Sequence, residues 1–193
     1  MKRIAVFCAS SPGFDPEFFR AAENLGRTLA ERGIGLVYGG AKIGLMGAVA
    51  SAVLQHGGEA IGVLPHFLGA KEIAHDQLTE LIMVDTMHER KTQMNHLCDG
   101  VIALPGGFGT LEELFEMLTW GQLGLHHKPV ALLNVNGFYD PLVVFINSMV
   151  DKGLLKNINR NMLLVDDDMG ILLTRMEQYD PPQMPKWIRD GEQ

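Results

Sequence analysis

The stretch Val101-Ile102-Ala103-Leu104-Pro105-Gly106-Gly107-Phe108-Gly109-Thr110-Leu111-Glu112-Glu113 decides how this chain is read. Four apolar residues make a buried strand, a proline and three glycines a tight turn, and the residues after them the opening of a helix. Such a turn gathers free backbone N–H groups and the positive end of a helix dipole at one point, where an anion binds. Gly106, Gly107 and Gly109 lack Cβ atoms, so a phosphate can come close to the backbone and positive φ is open to them. The same helix start carries Glu113. A carboxylate beside a phosphate is an electrostatic conflict, and such conflicts mark chemistry.

Outward from this stretch, short apolar runs alternate with amphipathic segments, the pattern of a parallel α/β sheet. The strands are expected at 3–8, 35–38, 60–64, 81–84, 101–104, 130–134 and 162–165. Most are continuously apolar, as in strands covered on both faces. Helices are expected from Pro16 to about Arg32, with Asp15 as N-cap, and over 43–55, 87–97, 110–123 and 141–152, the last capped by Asp140. Asp166-Asp167-Asp168 reads as the cap of a final helix, with a divalent-cation site as the alternative. The prolines at 181, 182 and 185 make the segment 181–193 an irregular tail to a single domain.

Composition sets the boundaries. The 193 residues carry a net charge of −7, with 47% hydrophobic and 20% charged residues. That suits one soluble domain and argues against nucleic acid as a partner, because phosphate backbones need basic surfaces. Met1-Lys2-Arg3 resembles the start of a signal peptide, but the apolar run behind it stops at Ser10-Ser11-Pro12-Gly13. No run reaches the length of a membrane span, so a cytoplasmic protein is expected. Cys8 and Cys98 both lie in apolar surroundings and read as buried free thiols.

Three glycine- or serine-rich turns fall at strand ends: 9–13, 39–44 and 105–110. If their strands are neighbours they line one crevice, into which Ser10, Ser11, Gly39, Gly40, Met46 and the loop from Gly106 to Thr110 are placed. Known nucleotide motifs fail. Leu45-Met46 stand where a P-loop needs Lys and Ser/Thr, and Glu112 stands where a dinucleotide fingerprint needs its third glycine. Glu113 has two readings, an acid or base at the ligand, or the last member of a Thr110-x-x-Glu113 capping box. Arg90 and Lys91 also have two, a solvated helix face or a cation pair that neutralises a phosphate and a carboxylate. His88-Glu89 lacks the second histidine of a zinc motif, since Thr92 stands there. His126 and His127 read as loop histidines. No metal is expected.

Together, Val6 to Ser11, Tyr38-Gly39-Gly40 with Gly44-Leu45-Met46-Gly47, Met87-His88-Glu89-Arg90-Lys91, Pro105 to Glu113, and Gln122 to His126 with Lys128-Pro129 resemble the Lonely Guy family of cytokinin-activating phosphoribohydrolases. The resemblance runs to about Gly153. It implies a single-domain, Rossmann-like, doubly wound parallel sheet flanked by helices, a homodimer and no cofactor. It also implies hydrolysis of the N-glycosidic bond of adenine-type nucleoside 5′-monophosphates, AMP among them, to free base and ribose 5-phosphate. The family's catalytic pair falls on Arg90 and Glu113. Its nucleotide contacts fall on Glu72, Lys91, Gly107, Phe108, Gly109, Thr110, Leu111, Glu112, Glu113 and Thr119. A nucleotide carrier or sensor without turnover, or a phosphoribohydrolase for another base, are the alternatives. Older labels call the family lysine decarboxylases, but no pyridoxal phosphate site is legible. Trp120, Leu123 and Leu125 are a candidate dimer seam.

Overall fold

A computed structural model of the protein describes residues 1–69 and 74–182. Seven strands form one sheet: β1 (Arg3–Phe7), β2 (Gly35–Tyr38), β3 (Ala60–Pro65), β4 (Glu80–Val84), β5 (Gly100–Ala103), β6 (Val130–Leu133) and β7 (Leu163–Asp166). The helices are α1 (Pro16–Glu31), α2 (Gly44–Gln55), α3 (His66–Gly69), α4 (Met87–Leu97), α5 (Phe108–Gln122), α6 (Asp140–Asp151), α7 (Asn157–Arg160) and α8 (Met169–Glu177). A 3-10 turn spans Val135–Gly137. The strand order is β4-β3-β2-β1-β5-β6-β7, and every pair is parallel.

The chain therefore winds outward from β1 in one direction and from β5 in the other. Their boundary is the switch point at which α/β sheets open a crevice. Alternation along each strand serves two cores. Ile4, Val6 and Cys8 of the first strand and its end join α1, α2 and α8, while Ala5 and Phe7 face α4, α5 and α6. The edge strand β4 is the exception to full cover, with Glu80, Leu81 and Met83 exposed.

Helix starts follow local chemistry, with three departures from the sequence reading. Asp15 caps α1 by accepting from the Glu17 N–H at 2.9 Å, as expected. Asp168 caps α8 through the Ile171 N–H at 2.8 Å. Asp166 pairs with Arg175 at 2.9 Å, so these aspartates are engaged in structure. Asp140, by contrast, lies inside α6, and its carboxylate accepts from Asn134 Nδ2. The helix expected from Thr110 begins earlier, with Gly107 as its N-cap, which removes the capping box proposed for Glu113. The two one-turn helices α3 and α7 are too short to show a period in the sequence. Among the described residues no helix is long and apolar enough to cross a membrane.

Helices α1 and α2 pack closely side by side. Gly26 makes this possible, because a Cβ there would stand 2.4 Å from Val49 O and 2.8 Å from Ala52 Cβ. Gly26→Ala gains up to about 1 kcal/mol in helix propensity. It costs roughly 1–3 kcal/mol in overpacking, so a lower urea midpoint is expected. An unchanged or higher midpoint in equilibrium unfolding contradicts this account of the helix pair.

Candidate functional site

The turns after β1 and β5 diverge at the switch point and are tied together by Ala9 N–H donating to Pro105 O at 3.2 Å. Between them lies a cavity of about 440 Å³. One wall is the start of α5, where Phe108, Gly109 and Thr110 fall in the first turn, beyond the reach of any intrahelical carbonyl. Three backbone N–H groups and the dipole of a 15-residue helix thus converge on one side of the cavity. Ser10 and Ser11 line it from the β1 turn, Gly39 and Met46 from the second turn and α2.

The glycines act differently from expectation. Gly106, Gly107 and Gly109 all keep negative φ, so no left-handed backbone is needed there. A Cβ on Gly106 would collide with Thr110 Oγ1 at 2.1 Å, while Gly107 and Gly109 have open space where a Cβ would stand. The first is a packing glycine, and the other two leave the start of α5 open among the described residues. Positive φ is confined in this region to the second and first turns, at Gly13, Gly40 and Gly44. Nor does the second turn offer its own helix end to a ligand. Ala9 O accepts from the N–H groups of Leu45 and Met46, and Gly44 packs against the Ser10 and Ser11 backbone. The start of α2 buttresses the β1 turn.

Deeper in the cavity sit Arg90 and Glu113. Arg90 projects from α4 and Glu113 from α5, with Nη2 to Oε1 at 3.5 Å. Their side chains are 8% and 10% exposed. Arg90 is therefore not on a solvated face. Gly39 makes room for it, since a Cβ at that position would lie 2.3 Å from Nη2. The guanidinium is poorly satisfied. Nη1 reaches only Met87 Sδ at 4.0 Å, and Nε has no partner among the described residues. Burial pushes the Glu113 carboxyl up to about 7, against the opposing pull of Arg90. Buried charge with spare donors is a site prepared for an acceptor.

Helix α4 carries the Thr-x-x-Glu spacing that the sequence suggested for α5, with the glutamate reaching one residue past the N-cap. Thr86 Oγ1 accepts from Glu89 N–H at 3.1 Å, and Glu89 Oε2 accepts from Asp85 N–H at 2.9 Å. Glu89 is thereby committed to capping. Lys91 does not follow Arg90 into the cavity; its Nζ pairs with Glu112 at 2.6 Å and Glu116 at 3.0 Å. Thr119 donates its hydroxyl to Phe115 O and faces a second cavity of about 220 Å³ with Leu118, Ile146 and Leu163. Gly40, Gly106 and Leu111 also stand behind the cavity lining. Glu72 lies outside the described residues. His126 is buried and donates its Nε2–H to Met117 O, 2.8 Å away, in a structural role. Cys8 and Cys98 are free and buried, and burial raises both thiols. Among the described residues no three His, Cys, Asp or Glu side chains form a metal cluster.

Sequence reasoning did not single out Cys8, Leu68 and Met87 as lining residues. Met87 opens the Met-His-Glu-Arg-Lys stretch and was available by its neighbour. Leu68 sits on the one-turn α3 and leaves no periodic signal.

A family model described as "Possible lysine decarboxylase" matches residues 46–176. The chain is 47% identical over 180 residues to the cytokinin riboside 5'-monophosphate phosphoribohydrolase LOG of Oryza sativa subsp. japonica, covering 93% of this chain and 74% of that one. It is also 47% identical over 180 residues to LOG7 of Arabidopsis thaliana, a protein of the same name, at 93% and 83% coverage. Among solved structures, the molybdenum cofactor carrier protein from Chlamydomonas reinhardtii superposes with a TM-score of 0.68 at 22% identity, covering 91% of this chain and 96% of that one. This last likeness concerns the fold alone. With the Arg90–Glu113 pair held at the sheet's switch point and sequence identity sustained over nearly the whole chain, this protein belongs to the Lonely Guy family of phosphoribohydrolases.

Proposed function

We propose that this chain hydrolyses the N-glycosidic bond of adenine-type nucleoside 5′-monophosphates, cytokinin riboside monophosphates and AMP among them. Water adds across the bond: its hydroxyl goes to C1′ of the ribose and its proton to the departing base nitrogen. The observation that carries the reading is the buried Arg90–Glu113 pair, 3.5 Å apart and under-satisfied, beside the open start of α5. Phosphate binding alone has no use for a carboxylate in that place.

The 5′-phosphate sits on the N–H groups of Phe108, Gly109 and Thr110, with the Ser10 or Ser11 hydroxyl donating from the β1 turn. Each helix-end interaction contributes about 0.3–2 kcal/mol, so several act together. The ribose then lies over Glu113, whose negative charge stabilises the positive charge that develops at C1′. Burial has brought this carboxyl close to neutrality, so it can also take the proton of an attacking water. The spare donors of Arg90 meet the electron density that leaves with the base. Met46, Leu68 and Met87 supply an apolar wall for that base. The protein works as a homodimer, a reading supported by half-buried Trp120 and Leu123 and exposed Leu125 at the end of α5.

The deciding experiment is chromatographic detection of free base from AMP and from N6-isopentenyladenosine monophosphate. Glu113→Gln keeps the shape, removes the charge, and lowers kcat by about a hundredfold or more. Tight nucleotide binding with no base released from either substrate moves the reading to a carrier. Because a carboxyl near 7 is protonated below that pH and ionised above it, kcat/KM rises with pH through about 7 and then levels. The substrate phosphate also ionises near 6. A profile on the free enzyme side that keeps its upper ionisation in Glu113→Gln therefore removes the assignment. Gly39→Ala pushes Arg90 Nη2 aside and lowers kcat roughly tenfold or more, with the melting temperature nearly unchanged. Wild-type turnover in that variant contradicts the role given to Arg90.

A further inference from the structure

We propose that Glu116 is a positioning residue: with Glu112 it holds Lys91 in a clamp that locks α4 to the first turns of α5 and so fixes Arg90 against Glu113. This rests on the phosphoribohydrolase reading for its consequence, though not for its geometry.

Arg90 and Lys91 are neighbours on α4, and Glu112, Glu113 and Glu116 are neighbours on α5. The backbones of the two helices do not pack closely on one another. Next to the Lys91 contacts they are separated by an open groove of about 710 Å³, lined by His88, Thr92, Gln93 and His96 from one helix and by Glu116 and Trp120 from the other. At this end long side chains bridge them. Arg90–Glu113 is one bridge, long at 3.5 Å, and it belongs to the cavity. The other is Lys91, 11% exposed at its side chain, with carboxylates at 2.6 and 3.0 Å. The short double contact holds the distance at which the long single one operates. At the far end of α4, Lys128 donates to Asn95 O and Oδ1, so the helix is tied down at both ends.

Glu116 is 18% exposed, well below the 54% of Glu112. A surface ion pair contributes little, whereas a mostly buried, two-armed one restricts geometry. Misplacement of a catalytic group by about 1 Å can cost a hundredfold in rate, so a clamp one residue away from Arg90 has leverage. The clamp is also electrostatic. Among the described residues, the groups that face Glu113 are Arg90 and Lys91 from α4, Glu112 and Glu116 from its own helix, and the Cys8 thiol at the end of β1. Lys91 offsets the two flanking carboxylates, which otherwise favour a protonated Glu113.

The test uses Glu116→Gln, Lys91→Met and the charge swap Lys91→Glu/Glu116→Lys. Two readouts are taken: kcat and KM for base release from N6-isopentenyladenosine monophosphate, and the titration of Glu113 in the free protein by NMR of 13C-labelled glutamate. Expected are a roughly tenfold fall in kcat for Glu116→Gln with KM little changed, and a larger fall for Lys91→Met. The Glu113 titration moves down in Glu116→Gln, which loses a negative neighbour. It moves up in Lys91→Met, which leaves two carboxylates uncompensated. The swap rebuilds an opposite-charge bridge between the helices with its polarity reversed. Its new ammonium on α5 stands four residues after Glu112, a favourable spacing, and much of kcat is recovered. The clamp is overturned if Glu116→Gln matches wild type in both readouts. It is equally overturned if Lys91→Met raises KM alone with the Glu113 titration unmoved, the signature of a direct substrate contact. A wild type that releases no base removes the enzymatic reading, while the titration still decides the clamp.

Discussion

A guanidinium and a carboxylate held out of water 3.5 Å apart are the constraint on which the rest of this structure depends. Desolvating two charges costs several kcal/mol each, and their attraction offsets it only when other partners complete the geometry. Among the described residues those partners are missing: Arg90 has an unpaired Nε and a thioether for Nη1. Such a pair contributes little net stability to the fold. It is tolerable because the pair lies in the cavity at the divergence of β1 and β5, and because two cores on either side of the sheet supply the stability.

The turns around the pair divide the labour of making room. Gly39 yields space to Arg90, Gly106 to Thr110, and Gly44 to the Ser10–Ser11 backbone. Only Gly107 and Gly109 among them leave space that no atom of the described residues fills. Glycines that look equivalent in sequence thus serve either packing or access, and the distinction depends on which neighbour stands across the turn. The second turn illustrates the point. Its glycine spacing imitates a phosphate loop, yet its helix start is occupied by Ala9 O.

The sheet was legible because parallel strands buried on both faces are written as continuous apolar runs. All seven expected strands are present, with ends displaced by at most one residue, and the long helices other than α5 lie within a residue of their expected starts. The helix that matters most was misjudged at its start. Phe108-Gly109-Thr110 has poor helix propensity, and Thr110 followed by Glu113 imitates a capping box, so local rules favoured a later start. The arrangement that overrode them is tertiary: with Gly107 as N-cap the helix starts at Phe108, and Thr110 in its first turn packs against Gly106, where a Cβ would collide with it. Burial of Arg90 was equally invisible. Adjacent charges at 89, 90 and 91 look like a solvated face, and only the approach of α5 and the absence of a side chain at Gly39 turn one of them inward. The resemblance to the family supplied that information where residue patterns could not.

Under the proposed function, the placement of Glu113 beside the start of α5 has a physical rationale. Two unit charges about one ribose apart, roughly 7 Å, repel by about 2 kcal/mol at an effective dielectric of 20. On the proposed reading, the substrate phosphate in the bound ground state adds to the burial that already holds Glu113 near 7. As the glycosidic bond lengthens, positive charge appears at C1′ between the two anions, and repulsion is replaced by two attractions. The same groups that interact badly with the substrate interact well with the transition state, which is the condition for lowering the barrier rather than merely binding. Arg90 completes the arrangement by keeping Glu113 from being lost as a charge altogether. Without it, burial and a phosphate neighbour together favour the neutral acid, and the carboxylate would be absent when the oxocarbenium forms.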